Sequence, residues 1–182
     1  RGFGYQGGAA RGINLTAPLG PGFKEAITTP GEWTIRATCF GELLPYHENR
    51  FYLHDTKKDK YGIPKLVFDA GLKENERKLR IDGVNCLEEM LLAAGCEDVQ
   101  VHNNPTAPGA AIHEMGTARM GRDPKTSVLN KWNQVHAVPN VFVTDGSFMT
   151  SAGTQNPSIT YMAFTARAVD YLGKEMKKDG VI

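Results

Sequence analysis

Three short stretches hold the side chains best suited to chemistry. The first, His113-Glu114-Met115-Gly116-Thr117-Ala118-Arg119-Met120-Gly121, opens on an imidazole. With an unperturbed pKa of about 6.5, imidazole can take or return a proton near neutrality, which contributes roughly 10²- to 10⁴-fold when that proton moves in the transition state. The second, Val141-Phe142-Val143-Thr144-Asp145-Gly146-Ser147, is an apolar run stopped by Asp-Gly, the composition of a strand that ends in a turn. The third, Thr154-Gln155-Asn156-Pro157-Ser158-Ile159-Thr160, reads as a helix entrance with Asn156 as N-cap and Pro157 at the first helical position. An N-cap uses the side-chain oxygen, which leaves the amide nitrogen of Asn156 free to donate elsewhere.

Other chemistries are weaker. His113-Glu114 begins like the zinc motif H-E-x-x-H, but position 117 is Thr, so no metal site is expected. Glu114 is a second candidate base, and His113 with Glu114 would also suit a hydrolase. Cys39, Cys86 and Cys96 are odd in number and form no C-x-x-C pair, so they read as buried thiols. Gly116, Thr117 and Met120 shape the loop behind His113. His47, His54, His102 and His136 carry no motif and read as structural or solvent-exposed. Tyr46, Phe51, Tyr52, Trp33 and Trp132 suit either a core or a stacking surface.

These stretches need elements to hold them. Residues 1 to 31 are rich in glycine and proline and predict loops and short edge strands. Within them Gly2-Phe3-Gly4-Tyr5-Gln6-Gly7 matches the dinucleotide pattern G-x-G-x-x-G by accident, since no strand precedes it and Gly8-Ala9-Ala10-Arg11-Gly12 is a poor helix opening. Trp33, Ile35, Ala37 and Cys39 alternate with polar residues and predict a half-buried strand to Phe40. Arg50 to His54 and Lys65 to Asp69 predict an antiparallel hairpin whose tip carries Lys57-Lys58-Asp59-Lys60 and Gly62-Ile63-Pro64.

Residues 73 to 94 switch to helical spacing, with Val84, Leu87, Leu91 and Ala94 on one stripe, Gly83 as a bend and Gly95 as the stop. A short strand near Val99 to Val101 precedes the loop that Asn103-Asn104-Pro105 and Ala107-Pro108-Gly109 impose before His113. Asn140 to Thr144 predicts a buried strand. The final helix follows Asn156, with Ile159, Met162, Ala163, Ala166 and Val169 as its buried stripe. Lys174, Lys177 and Lys178 complement its carbonyl end, and Gly180 stops it. The order of elements makes an α+β fold with an antiparallel sheet and packed helices.

The 182 residues suit one domain, or part of a larger one. With 21 basic and 20 acidic residues the net charge is +1, which offers no field for nucleic acid or an anionic membrane. No apolar run approaches the roughly 20 residues that cross a bilayer. A soluble segment is expected, cytoplasmic or periplasmic. The opening Arg1-Gly2-Phe3-Gly4-Tyr5 lacks an initiator Met and a leader, as expected of a piece of a longer protein.

The His-x-x-Gly-Thr-x-x-Met-Gly pattern, the Asp-Gly after a strand and the Asn-Pro before the last helix occur in that order here. Together they resemble the C-terminal domain of the glucose-methanol-choline (GMC) oxidoreductases, FAD-dependent enzymes that oxidise alcohols and sugars. Weaker similarity runs back through Asn49-Arg50 and Tyr61-Gly62-Ile63-Pro64 to the glycine-rich start, and the flavour is closest to bacterial sugar and sugar-acid dehydrogenases. The resemblance implies a single C-terminal domain over residues 1–182, with a substrate-side sheet and helix at 1–110 and the catalytic His motif and return to the flavin at 111–182.

It implies that His113 is the base that removes the hydroxyl proton as hydride leaves carbon for flavin, and that Asn156 donates to the substrate oxygen. Asp145 and Gly146 would meet the ribityl-phosphate part of FAD. Asn156, Pro157, Ser158 and Thr160 would lie at a helix end that stabilises the reduced flavin. No credible Rossmann unit is present, so FAD would be held mostly by an N-terminal FAD-binding domain of the same protein, and the chain alone would bind it weakly or not at all. The alternative is a non-catalytic carbohydrate-binding or oligomerisation module on the same fold.

Overall fold

The computed structural model describes residues 2–13 and 19–178. Six strands and three helices follow in the order β1 (Phe3–Ile13), α1 (Phe23–Thr28), β2 (Pro30–Gly41), β3 (Arg50–Lys58), β4 (Pro64–Asp69), α2 (Glu74–Ala93), β5 (Gln134–Val135), β6 (Val138–Phe142) and α3 (Ser158–Lys178). The strands form three separate antiparallel ribbons, β1–β2, β3–β4 and β5–β6, instead of the one sheet expected. Mixed helices and antiparallel strands are nonetheless the observed class.

Within the glycine-rich start Phe3–Ile13 form one long strand, where loops and short edge strands are expected. β1 pairs with β2 from Phe3↔Gly41 to Arg11↔Trp33, so Phe3 to Gly7 lie along a strand and form no phosphate-binding turn. On one face Phe3 and Cys39 meet Gly83 of α2, and Tyr5 donates its hydroxyl to the Gly83 carbonyl at 2.7 Å. Gly83 lies within a helix that runs unbroken through it. It is glycine because a Cβ there would lie 2.5 Å from Cys39 Sγ. Only Ala37 and Cys39 of the predicted strand stripe are half-buried. Trp33 and Ile35 project beyond the helix and stay exposed.

The hairpin is observed, with Lys57 and Lys58 drawn into β3 and the turn narrowed to Asp59–Ile63, where the Asp59 carboxylate accepts from Tyr61 N and Ile63 N. The start of α2 is anchored by Glu76, whose buried carboxylate accepts from Leu44 N, Lys73 N, Tyr46 Oη and Asn75 Nδ2. This hub ties the β2–β3 connection to the helix. No strand forms at Val99 to Val101.

α3 packs through the opposite face from the one expected. Tyr161, Phe164, Ala168 and Tyr171 turn inward, where Phe148 stacks on Phe164 at 4.6 Å and Trp132 on Tyr171 at 4.7 Å. Arg167 lies over Phe164, donates to Lys131 O at 2.5 Å and reaches Asn133 Oδ1 at 3.4 Å. Asn133 is fully buried and left-handed at φ 61°, a conformation that Asn tolerates better than most residues. The predicted stripe is solvent-facing, with Ile159 78%, Met162 69% and Val169 61% exposed. β6 is exposed as well. Lys177 and Lys178 do lie in the last turn, while Gly180 is outside the described residues.

The apolar core of the described residues is small, namely Leu129, Phe148 and Ala168. The chain exposes 13705 Å². A folded monomer of 19.9 kDa exposes about 8,700 Å². The excess carries large apolar side chains on α3, on β3–β4 and at the far end of β1–β2. No described helix is long and apolar enough to cross a membrane.

Candidate active site

The loop that precedes His113 is forced outward and then back. Gly109 and Ile112 both take positive φ, 88° and 70°, and for a β-branched residue such as Ile112 this is a strained conformation. The reversal leaves the Ile112 side chain 90% exposed and turns His113 into a half-buried position. Among the described residues neither ring nitrogen of His113 has a hydrogen-bond partner. A structural histidine would be held by such a bond, as His136 is. Its Nε2 lies 3.2 Å from both Ser127 Oγ and Gly121 O. Because Ser127 gives its own proton to Asp123 O, Nε2 must be the donor there, and His136 is a loop clamp.

The motif beyond His113 runs beside residues 147–150. Ala118 N donates to Ser147 O at 3.0 Å and Met120 N to Phe148 O at 2.9 Å. Gly116, at φ 89°, passes close to Thr150 O. At the head of that segment Asp145 caps a single 3-10 turn, Gly146–Phe148, by accepting from Ser147 N and Ser147 Oγ. A Cβ on Gly146 would stand 2.6 Å from Tyr161 Oη and 3.3 Å from Glu114 O. The His113 loop, the Asp145-Gly146 turn and the first turns of α3 therefore meet at one point.

Sequence reasoning missed Tyr161, the residue at that junction. Its hydroxyl faces Met115 Sδ at 3.7 Å, and burial, together with the negative charge of Asp145 and Glu114, pushes its pKa above 10. The inward i, i+3 pair Tyr161–Phe164 was the available signal, masked by the competing apolar stripe. Glu114 turns back on its own loop, where Oε1 accepts from Ala111 N at 2.9 Å, and it has no bond to His113.

Asn156 is not the N-cap. Tyr161 N bonds to Pro157 O, so the hydrogen-bond ladder starts from Pro157 and the helix from Ser158, one residue later than expected. Pro157 is buried and Asn156 exposed, and among the described residues the Asn156 side chain has no hydrogen-bond partner. Both ends of its amide are open. The segment before it docks on the β1–β2 ribbon, with Ser151 donating to the Glu42 carboxylate and Thr154 against Gly4 and Gln6. Ser158 is exposed and Thr160 half-buried.

Two clefts lie elsewhere, about 230 Å³ between the start of β1 and α2 and about 490 Å³ beside Trp132 and Tyr171. Neither is lined by His113 or Asn156. Among the described residues no His, Cys, Asp and Glu side chains cluster as a metal site would require.

Among the described residues the His113 imidazole and the Asn156 amide have no hydrogen-bond partner, and the Asp145-Gly146 turn lies against the first turns of α3. Comparison with known proteins gives the class. Residues 45–165 match the family model of the GMC oxidoreductase C-terminal domain, and the chain belongs to the GMC oxidoreductase family.

The chain is 41% identical over 138 residues to a 2-methyl-1,2-propanediol dehydrogenase of Mycolicibacterium austroafricanum, across 74% of this chain and 24% of that protein. It is 34% identical over 124 residues to the paromamine 6'-oxidase of Streptomyces fradiae, across 68% and 23%. To the fructose dehydrogenase large subunit of Gluconobacter japonicus it is 32% identical over 139 residues, across 75% and 25%. The chain thus spans about a quarter of the length of the curated relatives it matches.

Proposed function

We propose that this chain forms the substrate side of a site that oxidises a CH–OH group of a sugar, sugar acid, polyol or other alcohol, in a flavoprotein whose FAD is held mostly by an N-terminal domain. His113 carries the proposal, as a half-buried imidazole with no protein partner, on a loop braced against the Asp145-Gly146 turn and Tyr161.

The residues fit the cofactor. The amide of Gly146, and those of Ser158, Ile159 and Thr160 in the first turn of α3, have no acceptor among the described residues, and such donors suit phosphate or an anionic ring edge. Asp145 and Gly146 would contribute through their backbone, because the Asp145 carboxylate is already occupied by Ser147. Pro157 has no N–H and serves to start the helix. FAD, when bound, supplies the hydride acceptor. His113 takes the hydroxyl proton at a ring nitrogen, and the Asn156 amide donates to the substrate oxygen and steadies its developing negative charge. The exposed side of α3, with Ile159, Met162 and Val169, supports packing against the N-terminal domain.

The test is flavin reduction in the full-length protein without oxygen. His113→Ala should keep its flavin and slow reduction by roughly 10²- to 10⁴-fold. Near wild-type turnover with bound flavin would remove His113 from the mechanism. A full-length protein that takes up no FAD would favour the non-catalytic carbohydrate-binding module instead.

A further inference from the structure

The three cysteines are thiols, each half-buried, and two of them meet where β2 packs on α2, away from the His113 site. Glycine at position 83 lets strand and helix approach so closely that a Cβ there would lie 2.5 Å from Cys39 Sγ and 3.4 Å from the Phe3 ring. Cys86 stands three residues further along α2, and Cβ positions at that spacing share a helix face about 5–6 Å apart. Adding or subtracting the 2.5 Å offset puts the Cys86 Cβ about 3–8 Å from Cys39 Sγ. A disulfide holds its two Cβ atoms about 3.5–4.5 Å apart, which rotation of the two side chains and a small shift of the strand can reach. Burial, and after it the charge of Cys86, push the Cys39 thiol up, so the two sulfurs lie within one another's field. Cys96 is not part of this meeting point. It lies past the end of α2 at Ala93, where its amide bonds back to Leu91 O, more than a helical turn beyond Cys86.

The pair is also approachable. The cleft of about 230 Å³ between the start of β1 and α2 is lined by Phe3 and Asp82. Phe3 carries the ring against Gly83, and Asp82 Oδ1 accepts from Cys86 Sγ at 3.9 Å. A small uncharged oxidant in that cleft has a route to Cys86.

We propose that Cys39 and Cys86 form a redox-sensitive pair, which a hydroperoxide converts to a disulfide that staples β2 to α2. The Cys86 sulfur attacks the peroxide, the O–O bond breaks, and the thiol proton leaves on the departing oxygen as alcohol, or as water from hydrogen peroxide. Cys86 is then a sulfenic acid. The Cys39 sulfur attacks the sulfenic sulfur and displaces hydroxide, which takes the Cys39 proton and leaves as water. Two thiols thus give up two electrons and two protons, and one hydroperoxide is reduced. A sulfenic acid is neutral, so the first step also removes the charge that opposes ionisation of Cys39. The closed loop runs from residue 39 to 86 and contains the β3–β4 hairpin and the Glu76 hub. β2 continues into Glu42, which accepts from Ser151, so the staple fixes the ribbon on which the segment before Asn156 rests.

The test uses full-length protein treated with stepwise equivalents of hydrogen peroxide, blocked with N-ethylmaleimide, and digested with trypsin and a Glu-specific protease. Cleavage at Glu88 and Glu89 separates Cys86 from Cys96. Mass spectrometry should find the peptide holding Cys39 joined to the one holding Cys86, lighter than their sum by two hydrogens and parted by dithiothreitol. Oxidation should raise the urea midpoint of the wild type and leave that of Cys86→Ser unmoved. The cross-link is read in the wild type, so it does not depend on a variant that folds. Both cysteines still alkylated after peroxide, a bridge from either one to any other cysteine, or Cys86 carried to sulfinic acid without a bridge would overturn the pair. A Cys39–Cys86 bridge that leaves the urea midpoint unmoved would overturn the staple. None of these outcomes depends on the oxidation assignment.

Discussion

The junction of the three motifs can be tested by adding one methyl group. In Gly146→Ala the new Cβ would lie 2.6 Å from Tyr161 Oη, 3.0 Å from Tyr161 Cζ and 3.3 Å from Glu114 O. The backbone at Gly146 is not left-handed, so the cost is steric and not conformational. Tyr161 is set on α3 and Glu114 O is main chain, so neither yields freely. Overpacking of this kind costs about 1–3 kcal/mol. Tyr161→Phe removes the atom at 2.6 Å and gives up only a weak hydroxyl–sulfur contact, so alone it should cost under about 1 kcal/mol.

In the double variant the closest ring contact relaxes to 3.0 Å, and about 1 kcal/mol of the Gly146→Ala penalty should return. The assay is the urea midpoint for loss of bound flavin in the full-length wild type, both single variants and the double. If Gly146→Ala matches wild type, or if the two changes simply add, the packing of the turn on Tyr161 is wrong. Since Glu114 adjoins His113, Gly146→Ala should also slow flavin reduction, and Tyr161→Phe should restore part of the rate.

Other expectations follow from the same geometry. Asn156→Asp should slow flavin reduction by about 10²-fold with the fold intact, since the lost donor has no structural bond; unaltered single-turnover kinetics would remove Asn156 from the site. Glu76→Gln should destabilise the chain by about 2 kcal/mol at neutral pH, through weakened hydrogen bonds to a charged acceptor. Burial pushes the Glu76 carboxyl up, but hydrogen bonds from Asn75, its own backbone amide, Leu44 N and Lys73 N outweigh this and hold its pKa below 4.5. That stabilisation is present above pH 4.5 and is lost as pH falls through the lowered folded value, so urea midpoints of wild type and variant should converge in acid. A constant gap would refute the role. Arg167→Met should cost about 2 kcal/mol by freeing Lys131 O and Asn133 Oδ1 and thinning the stack on Phe164, and hydrogen exchange should rise at residues 130–143.

Local pattern carried much of the secondary structure. The hairpin, β2 and α2 were legible from alternation and helical spacing, although Trp33 and Ile35 of the β2 stripe stay exposed. The glycine-rich start was misjudged. Glycine lowers strand propensity, yet here it permits the close contacts of β1 with Thr154 at Gly4 and with Arg36 O at Gly7, and pairing with β2 supplies what propensity lacks. α3 shows a second limit. Ile159, Met162, Ala163, Ala166 and Val169 form a true apolar stripe, and so do Tyr161, Phe164, Ala168 and Tyr171. A helix apolar on both sides has two faces to bury, and periodicity cannot say which one its own chain covers.

By itself the sequence determined the residue types that can do the chemistry and their order: an imidazole after a forced loop, an Asp-Gly stop and an Asn-Pro helix entrance. Those are properties of neighbouring residues, where backbone restriction and side-chain pKa act over a few positions. Only the tertiary structure decided that Gly146 meets Glu114 and Tyr161, that Asn156 stands one residue outside the cap with both ends of its amide open, and that Gln6 reaches Thr154. These contacts join residues from 15 to 148 positions apart. They depend on close packing between separate elements, which no local spacing encodes.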